Sequence, residues 1–214
     1  MRFQTKAVFA ALMLASASSA FAASTADLKV IGTVIPGACT PVFAGGGVVD
    51  YGKISASDLS ATVASPLQAR QISYTITCDA PIVIGTSWVD NRLSSTTPVS
   101  ESKFGLGTQG TAKIGSYTVR TVPAQTLANG AVADSIVSDD GVTWHTSASY
   151  GNVITQGARN RVYSFATPGT LIPAAFSTYS GALSIVATIA PTSTLNMGSA
   201  ITLDGLSTME VRYL

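Results

Sequence analysis

The sequence predicts an all-β protein, and three observations carry that prediction. No helical period is sustained beyond the first two dozen residues. Short runs of alternating apolar and polar side chains recur throughout, and they are separated by Gly, Pro, Asn and Asp. Charged residues make up only 11% of the 214-residue chain and its net charge is +1, with no cluster of Lys and Arg. That composition excludes the basic surface a nucleic acid needs. It also excludes disorder, which goes with low hydrophobicity and high charge.

Residues 1–22 read as a Sec-type signal peptide. Arg2 and Lys6 supply a positive start, residues 7–14 an apolar core, and Ala20-Phe21-Ala22 a cleavage signal. The apolar core is too short to cross a bilayer, and the longest later apolar run, residues 183–190, has the length of a strand. The expected mature chain is 23–214. Its two cysteines, Cys39 and Cys78, enter an oxidising compartment and are expected to pair. Closing a loop of about 40 residues removes on the order of 4 kcal/mol of unfolded-state freedom.

Residues 28–34 alternate Leu28, Val30, Gly32 and Val34 with Lys29, Ile31 and Thr33, a strand pattern in a stretch whose first half, residues 23–29, is polar and small. After the flexible Gly45-Gly46-Gly47 come Val48 to Gly52 and a loop-like, Ser- and Ala-rich stretch at 56–67. Residues 70–78 (RQISYTITC) put Ile72, Tyr74, Ile76 and Cys78 on one face and Ser73, Thr75 and Thr77 on the other. A turn is expected at 79–81 and a strand at 82–88, then a glycine-rich loop at 104–110 and a strand at 112–122 ended by Pro123. Residues 127–152 look least strand-like, with Asp139-Asp140-Gly141 a strong turn signal. Strands follow at 161–166 and 181–190. The last segment, 201–214 (ITLDGLSTMEVRYL), alternates Ile201, Leu203, Met209, Val211 and Tyr213 with polar residues and predicts a strand running to the final residue. About eight strands with turns between them suggest a two-sheet sandwich.

Two of these pieces ask for a partner: a β-patterned tail before the folded body, and an amphipathic strand at the very end. In combination they resemble the pilins of chaperone–usher fimbriae, the type 1 and P pilus subunits, and more narrowly the β-fimbriae subunits of proteobacteria. Gly32-Thr33-Val34-Ile35-Pro36-Gly37-Ala38-Cys39 resembles the G-x-V-x-x-x-x-C that opens a pilin's first strand. The Cys39 to Cys78 spacing, with 38 residues between, is similar to the pilin disulfide, and the ending Met209 to Leu214 with its penultimate tyrosine resembles the pilin C-terminus. Ile201 stands where pilins commonly carry a glycine.

The resemblance implies an incomplete immunoglobulin-like β-sandwich lacking its last strand and completed by donor-strand complementation, with 23–31 as the N-terminal donor extension and 32–214 as the domain. It implies a donor strand presenting Ala26, Leu28 and Val30, and an acceptor and chaperone-binding strand presenting Leu203, Met209, Val211, Tyr213 and the carboxylate of Leu214. The implied partners are a periplasmic chaperone, an outer-membrane usher, neighbouring subunits in a head-to-tail polymer, and a host or surface receptor. The expected location is the periplasm and then a surface fimbria of a Gram-negative bacterium.

Two other function classes fit the sequence less well. An enzyme would need partners for the lone histidine, His145, and the sequence has no G-x-S-x-G or comparable nucleophile motif. Asp134, Asp139 and Asp140 lack the spacing of a recognised Ca²⁺ loop, so neither catalysis, a metal nor a cofactor is expected. A secreted, self-complete sandwich that binds carbohydrate is the alternative, with Tyr51, Trp88, Tyr117, Trp144, Tyr150, Tyr163 and Tyr179 as candidate sugar platforms.

Overall fold

The computed structural model describes residues 26–33, 37–154 and 160–214. The chain divides into two units, Met1–Ile35 and Pro36–Leu214. In the first, residues 26–33 form no strand and are exposed, Leu28 at 91% and Val30 at 87%. The ladder expected from Leu28 onward is therefore not formed over the described residues of that unit. The expected signal peptide lies outside the described residues.

The second unit is all-β, with antiparallel pairing throughout. Eight longer strands carry it: β1 (Cys39–Phe43), β2 (Arg70–Ile82), β3 (Ile84–Asp90), β4 (Gly115–Thr121), β5 (Asp134–Ser138), β6 (Val162–Ala166), β7 (Phe176–Ile189) and β8 (Ser207–Tyr213). One sheet runs β1-β2-β7-β4, with two-residue strands added at its margins, and curls into a half-barrel. The other runs β5-β6-β3-β8, with His145–Thr146 outside β5.

The two sheets enclose one core. On β2 the inward residues Tyr74, Ile76 and Cys78 are buried, as are Tyr179, Leu183, Ile185, Ala187 and Ile189 on β7. They meet Trp88 of β3, Val137 of β5, Phe165 of β6 and Met209 of β8 in one cluster. The Phe165 and Tyr179 rings lie 4.9 Å apart across the layers. Tyr51 fills a gap in the ladder of β7: its hydroxyl donates to the Ile185 carbonyl (2.9 Å) and accepts the Ala187 N–H (3.0 Å). That gap lies between the end of β2, paired up to Arg70, and the short strand Ser65–Pro66.

The glycine-rich stretch 104–110, expected as a loop, holds the short strands Phe104–Gly105 and Thr108–Gln109, and three further segments differ from the sequence expectation. The turn expected at 79–81 lies inside β2, which continues to Ile82. Pro81 is tolerated there because β1 stops pairing at Cys39–Cys78, so its missing N–H costs that neighbour no bond. The stretch 127–152 contains β5, with Ile136 and Val137 fully buried. The final strand starts only at Ser207, and Leu203 lies in the coil before it.

Candidate functional site: the open edge of the last strand

β8 has one neighbour. Its register with β3 runs from Ser207 opposite Asp90 to Tyr213 opposite Ile84, and no described strand pairs with its other edge. Bonds at its two ends fix the phase of the ladder. The Leu214 N–H donates to the Val83 carbonyl (3.1 Å), and the Leu206 carbonyl accepts from the Asn91 N–H (2.9 Å). In an antiparallel pair, successive residues turn their main-chain groups alternately toward and away from the partner. The even-numbered residues therefore face β3, and the N–H and C=O groups of Ser207, Met209, Val211 and Tyr213 face the open side.

β1 forms the opposite bank. Among the described residues it pairs only with β2, to which the Cys39–Cys78 disulfide fastens it. The Asp79 N–H reaches the Ala38 carbonyl, so the same alternation turns Cys39, Pro41 and Phe43 toward the open side. A proline there is characteristic of an edge strand. A hydrogen bond joins the two banks, the Cys39 N–H donating to the Tyr213 hydroxyl at 3.0 Å.

Between the banks the core is only partly covered. Phe43, Val49, Leu59, Ile201, Leu203 and Val211 are half-buried apolar residues packed against the core cluster. The Phe43 ring sits 6.2 Å from that of Trp88, and Met209, opposite Trp88, is buried. At the far end the seam widens into a cavity of about 350 Å³ lined by Ile54, Leu59, Ile114, Ile189, Ile201 and Leu203. Just beside it Tyr117 is buried, which pushes its hydroxyl up to about 12; a hydrogen bond with Ser207 partly offsets the shift. An unpaired strand edge over an apolar trough is suited to taking up an extended segment: main-chain hydrogen bonds supply affinity and alternate side chains fill the trough.

The sequence-predicted residues fall into three places. Met209, Val211 and Tyr213 share the open side of β8, and Leu214 follows directly. Leu203 is not on the strand but forms part of the cavity wall. Ala26, Leu28 and Val30 are exposed in the other unit. Sequence reasoning missed the second bank: Ile54 and Leu59 lie in a stretch without period, and their burial comes from tertiary packing alone. Pro41 was the one local signal of an edge.

The candidate residues for catalysis or a metal lie away from this edge. Asp139 makes a paired contact with Arg161 (2.6 and 3.0 Å), raising the guanidinium's pKa. The Asp140 carboxylate accepts the N–H groups of Thr143 (2.7 Å) and Val142 (2.8 Å), which hold it well below the usual carboxylate range. Asp134 accepts from the Gly169 N–H, and His145 is exposed on its two-residue strand. Among the described residues no group of three or more His, Cys, Asp or Glu could hold a metal ion. Trp88, Tyr117, Tyr163 and Tyr179 are buried, and Trp144 is half-buried. The Tyr150 side chain lies outside the described residues.

These features define a disulfide-bonded antiparallel β-protein in which, among the described residues, the last strand leaves an edge open beside the core; the Cys39–Cys78 bond is consistent with export. The chain belongs to the family described as "Protein of unknown function (DUF1120)", whose model matches residues 28–136. It is similar along nearly its whole length to Protein GltF of Escherichia coli (strain K12), 31% identical over 98% of this chain and 97% of the relative. It is also 30% identical to Uncharacterized protein YhcF of the same strain, over 92% of this chain and 94% of the relative. None of these descriptions names a fimbrial role.

Proposed function

We propose that this chain is a non-catalytic structural subunit of a surface fimbria, assembled by a periplasmic chaperone and an outer-membrane usher through donor-strand exchange. The observation that carries the reading is the edge of β8. It is the final strand, it has a single neighbour among the described residues, and its open side overlies a half-buried apolar seam. The strand order supports the same reading. β1-β2-β7-β4 follows the A-B-E-D order of an immunoglobulin sheet, while β3 and β8 take the places of C and F. β6 and β5 extend that second sheet beyond β3, on the side away from β8.

In this reading the domain is an immunoglobulin-like sandwich that awaits its seventh strand beside β8. Ala26, Leu28 and Val30 of a neighbouring subunit supply that strand, and Met209, Val211 and Tyr213 accept it. Leu203 shapes the end of the trough, and the Leu214 carboxylate is the group a chaperone's basic residues would anchor. Burying each Leu or Val is worth roughly 1.5–3 kcal/mol, so a few filled positions plus a ladder of hydrogen bonds make exchange tight. Such a head-to-tail contact does not close and generates a filament.

The test is thermal stability of the purified periplasmic protein, alone, with a fimbrial chaperone, and with a peptide of residues 23–37. Recovery only as a one-to-one chaperone complex, or a large gain from the peptide, is the expected result. A stable monomer indifferent to both would overturn the reading, and a self-complete carbohydrate-binding module would become the better account.

A further inference from the structure

We infer that Gln109 and Arg92 are positioning residues that hold one wall of the seam's end cavity in the shape that receives an apolar side chain of the incoming strand; the inference rests on the donor-strand reading. The wall is the stretch 197–203, which forms no strand and includes Gly198, Ser199, Ala200, Ile201 and Leu203 around the cavity. Of residues 197–206 only Ile201 and Leu203 are even half-buried. Burial therefore does little to fix the position of this wall, and no ladder fixes it either.

Two side chains clasp it, one at each end. Gln109 stands on the hairpin formed by Thr108–Gln109 and Ala112–Lys113. Its Nε2 donates to the Asn196 carbonyl (2.9 Å) and to Ser199 Oγ (3.3 Å), and its Oε1 accepts the Asn196 N–H (2.8 Å). A side-chain amide paired in both directions with a main-chain residue does the work of one missing ladder step. At the other end Arg92 grips Asp204. Nε donates to Oδ2 (2.9 Å) and Nη2 to Oδ1 (3.1 Å), and Nε also reaches the Asp204 carbonyl (3.2 Å). One main-chain bond, from the Asp204 N–H to the Leu106 carbonyl, completes this anchor. Gly107 permits the approach: its φ is +88°, and a Cβ there would sit 3.1 Å from that of Asp204.

Both clasps come from the connection between β3 and β4, residues 91–114, a stretch whose length the sandwich itself does not require. The Arg92–Asp204 pair is exposed at 36% and 62% of its side-chain surface, so its contribution to overall stability is small. What it supplies is placement. A wall held in its bound shape before the ligand arrives spares the ordering cost of binding.

The experiment uses the full exported chain as wild type, Gln109→Ala, Arg92→Gln and the charge-swapped Arg92→Asp/Asp204→Arg double variant. It measures binding of a labelled peptide of residues 23–37 together with the melting temperature of each protein. The expected result is roughly tenfold weaker binding by each single variant at a nearly unchanged melting temperature, through loss of preorganisation. The charge swap should regain the affinity. Raising the salt concentration should weaken wild-type binding toward that of Arg92→Gln, because the exposed pair is screened. Single variants that bind like wild type overturn the inference and leave the donor-strand reading standing. Affinity that falls only in step with melting temperature makes the clasps general structure and also overturns it. A wild-type chain that does not bind the peptide overturns both.

Discussion

β7 and β8 carry the same alternation of apolar and polar residues, yet they end in different states. β7 has β2 along one edge and β4 along the other, and its inward residues are buried, Leu183 to 2% exposure. β8 has β3 alone. Met209 is buried, Val211 is half-buried, and Tyr213 is 52% exposed. Alternation reports which face of a strand is apolar, not whether a neighbour stands at its edge. The neighbours of β7 come from residues 70–82 and 115–121 of the same chain. For β8 no described segment fills that role, and the apolar seam beside it marks the difference.

Substitutions on the two strands should separate them. Leu183→Asp is the most damaging: it places a charge with no partner among Tyr179, Ile185 and the rest of the core. Burying an unpaired charge is far costlier than a cavity, and Leu→Ala alone costs about 2–5 kcal/mol. No folded protein should be recovered from the periplasm, with or without a partner. Next is removal of the disulfide by Cys39→Ser/Cys78→Ser. It frees the loop between β1 and β2 and should lower stability by on the order of 4 kcal/mol, read by denaturant unfolding. Because β1 is one bank of the seam, capture of an added strand should weaken in parallel.

Val211→Asp should behave differently. Half-exposed, it should cost the isolated domain only about 1 kcal/mol, while placing a carboxylate in the trough an added strand must line. The expected outcome is a folded chain that no longer co-purifies with a fimbrial chaperone and is degraded in the periplasm; Tyr213→Asp should do the same. Unchanged recovery of both would remove β8 from the role of acceptor and make its open edge an ordinary sheet margin.

The sequence made the fully ordered strands legible and hid what depends on distant chain. β2, β3, β6 and β7 follow from their alternation or their apolar runs. β5 escaped because Ile136 and Val137 are both buried, leaving no period of two in a strand covered on both faces. Its approach was nevertheless signalled. Asn129-Gly130, with φ of +50° and +78°, turns the hairpin between Leu127–Ala128 and Ala131–Val132, and Asn-Gly is the strongest short hairpin signal. Pro81 misled in the opposite direction, reading as a turn although it lies in a stretch of β2 that β1 no longer accompanies. Of the candidate site, the phase of Met209, Val211 and Tyr213 was legible in the last strand. The other bank was not, because Ile54 and Leu59 acquire their place only when residues 48–59 fold against β7 and the segment before β8.

The smallest effect on the folded domain should come from the largest deletion. Residues 26–33 make no strand and are exposed, Ile31 at 80% as well as Leu28 and Val30, so removing residues 23–30 should leave the melting temperature of the rest within experimental error. Exposed apolar residues contribute little to the fold of the chain that carries them, and in the donor-strand reading their worth appears when another molecule buries them. The same deletion should therefore leave chaperone capture through β8 intact and abolish head-to-tail polymerisation, assayed by the ladder of heat-sensitive oligomers from surface extracts. A polymer of normal length from the deleted chain would show that residues 23–30 are not the strand β8 receives. The open edge would then take some other segment or be an ordinary sheet margin.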